Sequence, residues 1–74
     1  MKTVEISTEF IKLGQLLKLS DLIGQGSDAK ILINEEMVYV NNEVCTQRGK
    51  KIYDGYIVEL KGEGKVQVLS TFKG

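Results

Sequence analysis

Residues 27–43, reading S-D-A-K-I-L-I-N-E-E-M-V-Y-V-N-N-E, constrain the fold more than any other part of the chain. Ser27 is a helix-capping residue type, because its hydroxyl accepts an orphan backbone N–H bond. Asp28 follows in the first turn, at the positive end of the helix dipole. Ala29, Leu32 and Ile33 recur at helical spacing and supply a buried face. Lys30 and Asn34, four residues apart, fall on another face and are expected to be exposed together. Glu35 and Glu36 end the helix on its solvent side. Val38, Val40 and Val44 then repeat with the period of a half-buried strand around Asn41-Asn42. Asparagine tolerates positive φ, so this pair closes a tight hairpin with Val44 facing the core. A helix running into a hairpin is a rigid frame that can hold polar side chains at fixed spacing.

The flanks complete the architecture. Val4-Glu5-Ile6 alternates as a short strand. Ser7 and Thr8 offer caps for an amphipathic helix over about residues 9–19, with Phe10, Leu13, Leu16 and Leu17 at buried positions. Gly14 weakens that helix by about 1 kcal/mol relative to alanine, and leaves room for close packing or a close ligand. Residues 20–26 form a turn region from which Leu22 and Ile23 plug the core. Asp54-Gly55 is a turn, 56–60 a strand, 61–64 a loop and 65–69 a final strand. The order predicts an α+β domain: two helices packed on a small, mainly antiparallel sheet.

Composition removes whole classes of function. Seventy-four residues make a single domain. A chain of this size buries only about 60% of its unfolded surface, so the core is small. Cys45 is the sole cysteine, which rules out an internal disulfide and suggests a reducing cytosol. It reads as an inert thiol. There is no histidine, the commonest general base and metal ligand, and one cysteine cannot build a thiolate metal site. Glu35 and Glu36 diverge by about 100° on a helix and do not share a proton. Gly24-Gln25-Gly26 lacks the spacing and the lysine of a phosphate-cradling loop. No enzyme activity, metal or cofactor is expected. Met1 to Val4 leads into polar Glu5 rather than an apolar signal core, and the apolar runs fall far short of a membrane span. A cytoplasmic protein is expected.

Formal net charge is zero, which gives no bulk attraction to nucleic acid. The charges are segregated, however. Arg48-Gly49-Lys50-Lys51 holds three cations and no anion, whereas Glu35, Glu36 and Glu43 gather at the helix end and hairpin tip. Such a protein can bind a polyanion on one face and repel it elsewhere; the plain alternative is a solvated surface cluster. Tyr39 alternates with Val38 and Val40 and belongs on the opposite sheet face.

From about residue 10 to 60 the chain resembles the RNA-binding domain of ribosomal small-subunit protein S-four, the αL motif. The matching residues are Ile11-Lys12-Leu13-Gly14-Gln15-Leu16-Leu17-Lys18, Ala29-Lys30, Val38-Tyr39-Val40-Asn41-Asn42-Glu43-Val44, and Asp54-Gly55-Tyr56-Ile57-Val58-Glu59-Leu60. Within that superfamily it looks like the small free-standing bacterial proteins of the YaaA and YbcJ type, with a C-terminal hairpin over 56–69. The resemblance implies RNA binding by the exposed faces of both helices and the following loop. Carried over by position, Lys12 and Gln15 lie on the RNA side of the first helix, and Ser27 and Lys30 at the start of the second. Arg48, Lys50 and Lys51 extend the surface from the loop, and the cations converge on one face. Gly26 stands where many members carry arginine, Gly14 where many carry aspartate, and Asn42 where many carry glycine.

The expected function is therefore docking on structured, ribosomal RNA, without catalysis, in ribosome assembly. A ribosomal or assembly protein is a further expected partner. The competing expectation is a protein–protein adaptor with little or no direct RNA binding. A sulfur-carrier fold would need a Gly-Gly end, and this chain ends Phe72-Lys73-Gly74.

Overall fold

A computed structural model describes residues 1–23 and 28–73. The elements are β1 (Lys2–Ile6), β2 (Phe10–Lys12), α1 (Leu13–Leu19), α2 (Ala29–Asn34), β3 (Val38–Val40), β4 (Glu43–Val44), β5 (Lys51–Tyr53), β6 (Ile57–Leu60) and β7 (Gly64–Ser70). Five strands form one sheet in the order β1-β7-β6-β3-β4, and β2 and β5 form a separate ribbon. All pairings are antiparallel except β1 with β7, which is parallel, so the larger sheet is mixed. The expected α+β class holds.

Pairing register explains the core. Val40 lies opposite Val58, and Val58 opposite Val66, so alternate residues of three strands share one face. Those three, with Val38, Leu60 and Val68, are buried. Leu13, Leu16 and Leu17 of α1 and Ala29 and Ile33 of α2 join the same cluster. Ile11 and Ile52 close it from the ribbon. Leu22, Ile23 and Leu32 pack against it while half-buried.

The first helix is shorter than its periodicity suggests. Phe10, Ile11 and Lys12 form a strand instead of the expected first turn, pairing with Tyr53, Ile52 and Lys51. Ser7 and Thr8 do not cap α1; Lys12 occupies the cap position and its side chain makes no capping bond. Backbone carbonyls satisfy the helix instead. Leu13 N–H donates to Lys50 O at 2.9 Å, and Gly14 N–H to Arg48 O at 3.0 Å. The 48–50 loop thus does what a capping side chain would do. The same pairing places Lys51 at the start of a strand, not in the loop.

The second helix is capped by Asp28, whose Oδ1 accepts the Lys30 N–H at 2.9 Å. The expected cap Ser27 lies outside the described residues, as does Gly24-Gln25-Gly26. Glu35 is the C-cap and Glu36 takes a φ of 60°, both exposed.

Asn41 and Asn42 close the β3–β4 hairpin with φ of 52° and 72°, the double positive φ that a primed two-residue turn demands. Val44 does not face the core, contrary to expectation. A two-residue turn puts Glu43 opposite Val40 and Val44 opposite Tyr39. The inward parity therefore passes to Cys45, which is buried, while Val44 is exposed with Tyr39 on the outer face. Asn41 also ties the hairpin to β6: its Oδ1 accepts the Ile57 N–H at 2.9 Å, and its own N–H donates to Ile57 O at 2.8 Å. Asn41→Ala is expected to cost about 1–2 kcal/mol, from one lost hydrogen bond and a positive φ that alanine resists. Chemical denaturation of the two proteins measures it; an unchanged midpoint would mean the carboxamide bond contributes nothing.

Candidate functional site

Between α1, the start of α2 and the loop at Arg48 lies an open groove of about 310 Å³. Four cations line it: Lys12, Lys18, Lys30 and Arg48. Asp28 supplies the one carboxylate of the lining, and Gln15 adds a neutral donor and acceptor. Among the described residues the sole ion pair is Lys2 with Asp21, 3.2 Å apart on the exposed surface. None of the four groove cations is neutralised by such a pair, so the groove carries a concentrated positive field in a protein of zero net charge.

Each side chain is placed by a local cause. Lys12 sits where β2 turns into α1 and is exposed, the preceding residue Ile11 being turned inward. Gln15 and Lys18 are three residues apart and therefore lie on one helix face, opposite Leu13, Leu16 and Leu17. Lys30 is exposed at the second residue of α2. A lysine in a first helical turn opposes the dipole. Local stability does not account for it, which marks Lys30 as a functional candidate.

Arg48 is held by Gly14. The glycine is buried, and a Cβ built on it would stand 2.7 Å from Arg48 Cγ. Only a residue without a side chain lets the arginine stem lie flat across α1. The Gly14 N–H to Arg48 O bond fixes the loop at the same place. The room that Gly14 leaves for close packing is taken by the loop at Arg48.

Of the residues expected at an RNA surface, Lys12, Gln15, Lys30 and Arg48 meet in this groove. Lys50 and Lys51 are not part of its lining. Lys50 is half-buried in the loop, and Lys51 extends along the β2–β5 ribbon with its Nζ 4.9 Å from the centre of the Phe10 ring. Ser27 lies outside the described residues. Lys18 and Asp28 line the groove and were missed as site residues; the spacing of Lys18 from Gln15 was the available signal. Tyr39 lies on the outer sheet face between Val44 and Glu59, away from the groove lining. Among the described residues there is no acidic, histidine or cysteine cluster suited to a metal ion, and no helix long and apolar enough to cross a membrane.

A mixed sheet and two short helices, with a groove lined by four cations between α1, the start of α2 and the loop at Arg48, define a small α+β domain. The S4 domain model matches residues 4–69, and the chain belongs to the S4-domain family. It is also similar to the probable ribosome maturation protein RlbA of Bacillus subtilis (strain 168). The two are 46% identical over 67 residues, covering 90% of this chain and 94% of that protein.

Proposed function

We propose that this protein is a non-catalytic RNA-binding protein that docks on structured ribosomal RNA during ribosome assembly, with the groove as its contact surface. The observation that carries the reading is the set of four cations, free of ion pairs among the described residues, around one groove. Membership of the S4-domain family and similarity to a protein named for ribosome maturation support it. A-form RNA is recognised through phosphates, 2′-hydroxyls and shape, because its major groove is too deep and narrow to read. Lysines and an arginine held at fixed spacing suit phosphates, and Gln15 suits a 2′-hydroxyl.

Salt dependence tests the reading. Four groove cations neutralising ~4 phosphates give a log–log slope of affinity on salt of roughly −3 to −4. Titrations of a structured ribosomal RNA fragment at several salt concentrations would measure it. A slope near zero with binding retained means the contact is not phosphate-directed. Indifference to RNA, with capture of an assembly protein, moves the function to the adaptor class.

Gly14→Ala separates the groove from the fold. Alanine is favoured over glycine inside a helix by about 1 kcal/mol, but its Cβ displaces the Arg48 stem. Thermal stability is expected to stay close to the native value while RNA affinity falls. Unchanged affinity in the folded variant would show that the seating of Arg48 is not needed.

A further inference from the structure

Ile11 and Ile52 fill the inner side of the β2–β5 ribbon, so Phe10, Lys12, Lys51 and Tyr53 share its outer side. Phe10 lies opposite Tyr53, and Lys12 opposite Lys51. Like charges directly opposite one another destabilise an antiparallel pair, and among the described residues neither lysine has an ion-pair partner. Lys51 leans instead over the Phe10 ring, 4.9 Å from its centre. The aromatic end of the ribbon continues beyond it. Phe10 and Tyr53 are 5.7 Å apart at 47°, and Tyr53 and Tyr56 are 5.8 Å apart at 58°. At these tilts no ring lies flat over its neighbour. Tyr56 packs against the core, but Phe10 and Tyr53 are half-buried and stand outside the core cluster. Lys12 belongs both to this face and to the groove, so the two surfaces are continuous.

We propose that the outer face of the β2–β5 ribbon is a stacking site for an unpaired RNA nucleotide, with Lys12 and Lys51 on the phosphates flanking it. The proposal rests on the groove being an RNA surface and adds the class of RNA: a helical segment that ends in, or is interrupted by, an unpaired nucleotide. Every base has a π-face, so an aromatic side chain stacks on it with little regard to sequence, and nearby cations hold the backbone. In the bound state Lys51 moves from the Phe10 ring to a phosphate. That movement frees the ring and relieves the Lys12–Lys51 repulsion, which the free protein leaves unpaired.

Two RNA duplexes matched in phosphate number test it. One is blunt, and the other has a short 3′ overhang containing 2-aminopurine, whose emission falls on stacking. The native protein is expected to bind the overhang duplex about five-fold more tightly or better, with quenching. Tyr53→Leu and Phe10→Leu keep apolar bulk outside the core, and thermal melts check that each is folded. At least one is expected to lose the preference and the quenching while binding the blunt duplex as before, and Tyr53→Phe is expected to retain both. Equal binding of the two duplexes by the native protein, or a preference that survives both leucine variants, overturns the stacking site and leaves the groove reading standing. Binding to neither duplex at low salt removes the groove reading and the stacking site together.

Discussion

Leu16→Ala is expected to unfold the protein or leave it barely stable at room temperature. Leu16 has no exposed surface and belongs to the core cluster that joins α1 to α2, the ribbon and the sheet. Truncating a buried leucine costs about 2–5 kcal/mol, part of it from the cavity left behind. Small domains often have only ~5 kcal/mol or a little more in total, and 74 residues with one cysteine provide no disulfide to make up the loss. Leu19, three residues on in the same helix, is 62% exposed. Leu19→Ala is therefore expected to change stability by no more than about 0.5 kcal/mol. Thermal melts of the two variants compare them directly. An unchanged midpoint for Leu16→Ala, or a larger loss for Leu19→Ala, would contradict the helix phase.

What could be read from the chain was what is decided locally. The Asn41-Asn42 hairpin and the face of α2 that carries Ala29 and Ile33 follow from turn chemistry and periodicity within a few residues. The start of α1 does not. Phe10 and Ile11 fit a helical pattern, and only their pairing with Tyr53 and Ile52, some forty residues on, makes them a strand. Its cap is equally invisible, since it consists of carbonyls at Arg48 and Lys50. The parallel pairing of β1 with β7 joins the two ends of the chain, a contact that no local pattern announces. The reversed parity of Val44 and Cys45 was legible, because a two-residue turn always transfers the inward face in this way. In the groove, Lys12, Gln15, Lys30 and Arg48 were found through resemblance to a family. The basic run at 48–51 misled because the chain passes from loop to strand within it. Arg48 stays in the groove, while Lys51 is carried to the ribbon.

The groove as a phosphate surface is tested most directly by paired charge reversal. Lys30→Glu leaves the fold intact in this account, because the Lys30 side chain is exposed and the cap uses its backbone N–H, which the substitution keeps. A glutamate in the first helical turn is also favoured by the dipole. Affinity for RNA is expected to drop about ten-fold or more, since a hydrogen bond to a charged group contributes about 1.5–3 kcal/mol and the new carboxylate repels phosphate. Lys73→Glu changes the net charge by the same amount at an exposed position outside the groove. Charges are screened within about 10 Å at ordinary salt, so it should lower affinity by roughly two-fold or less. The measurement is a titration of one ribosomal RNA fragment with native, Lys30→Glu and Lys73→Glu protein at 0.1 M salt, a typical concentration at which that screening length applies. A large loss for Lys30→Glu alone is the predicted result. Equal losses for both would reduce the interaction to general electrostatics, and undiminished binding by a folded Lys30→Glu protein would place the RNA surface somewhere other than this groove.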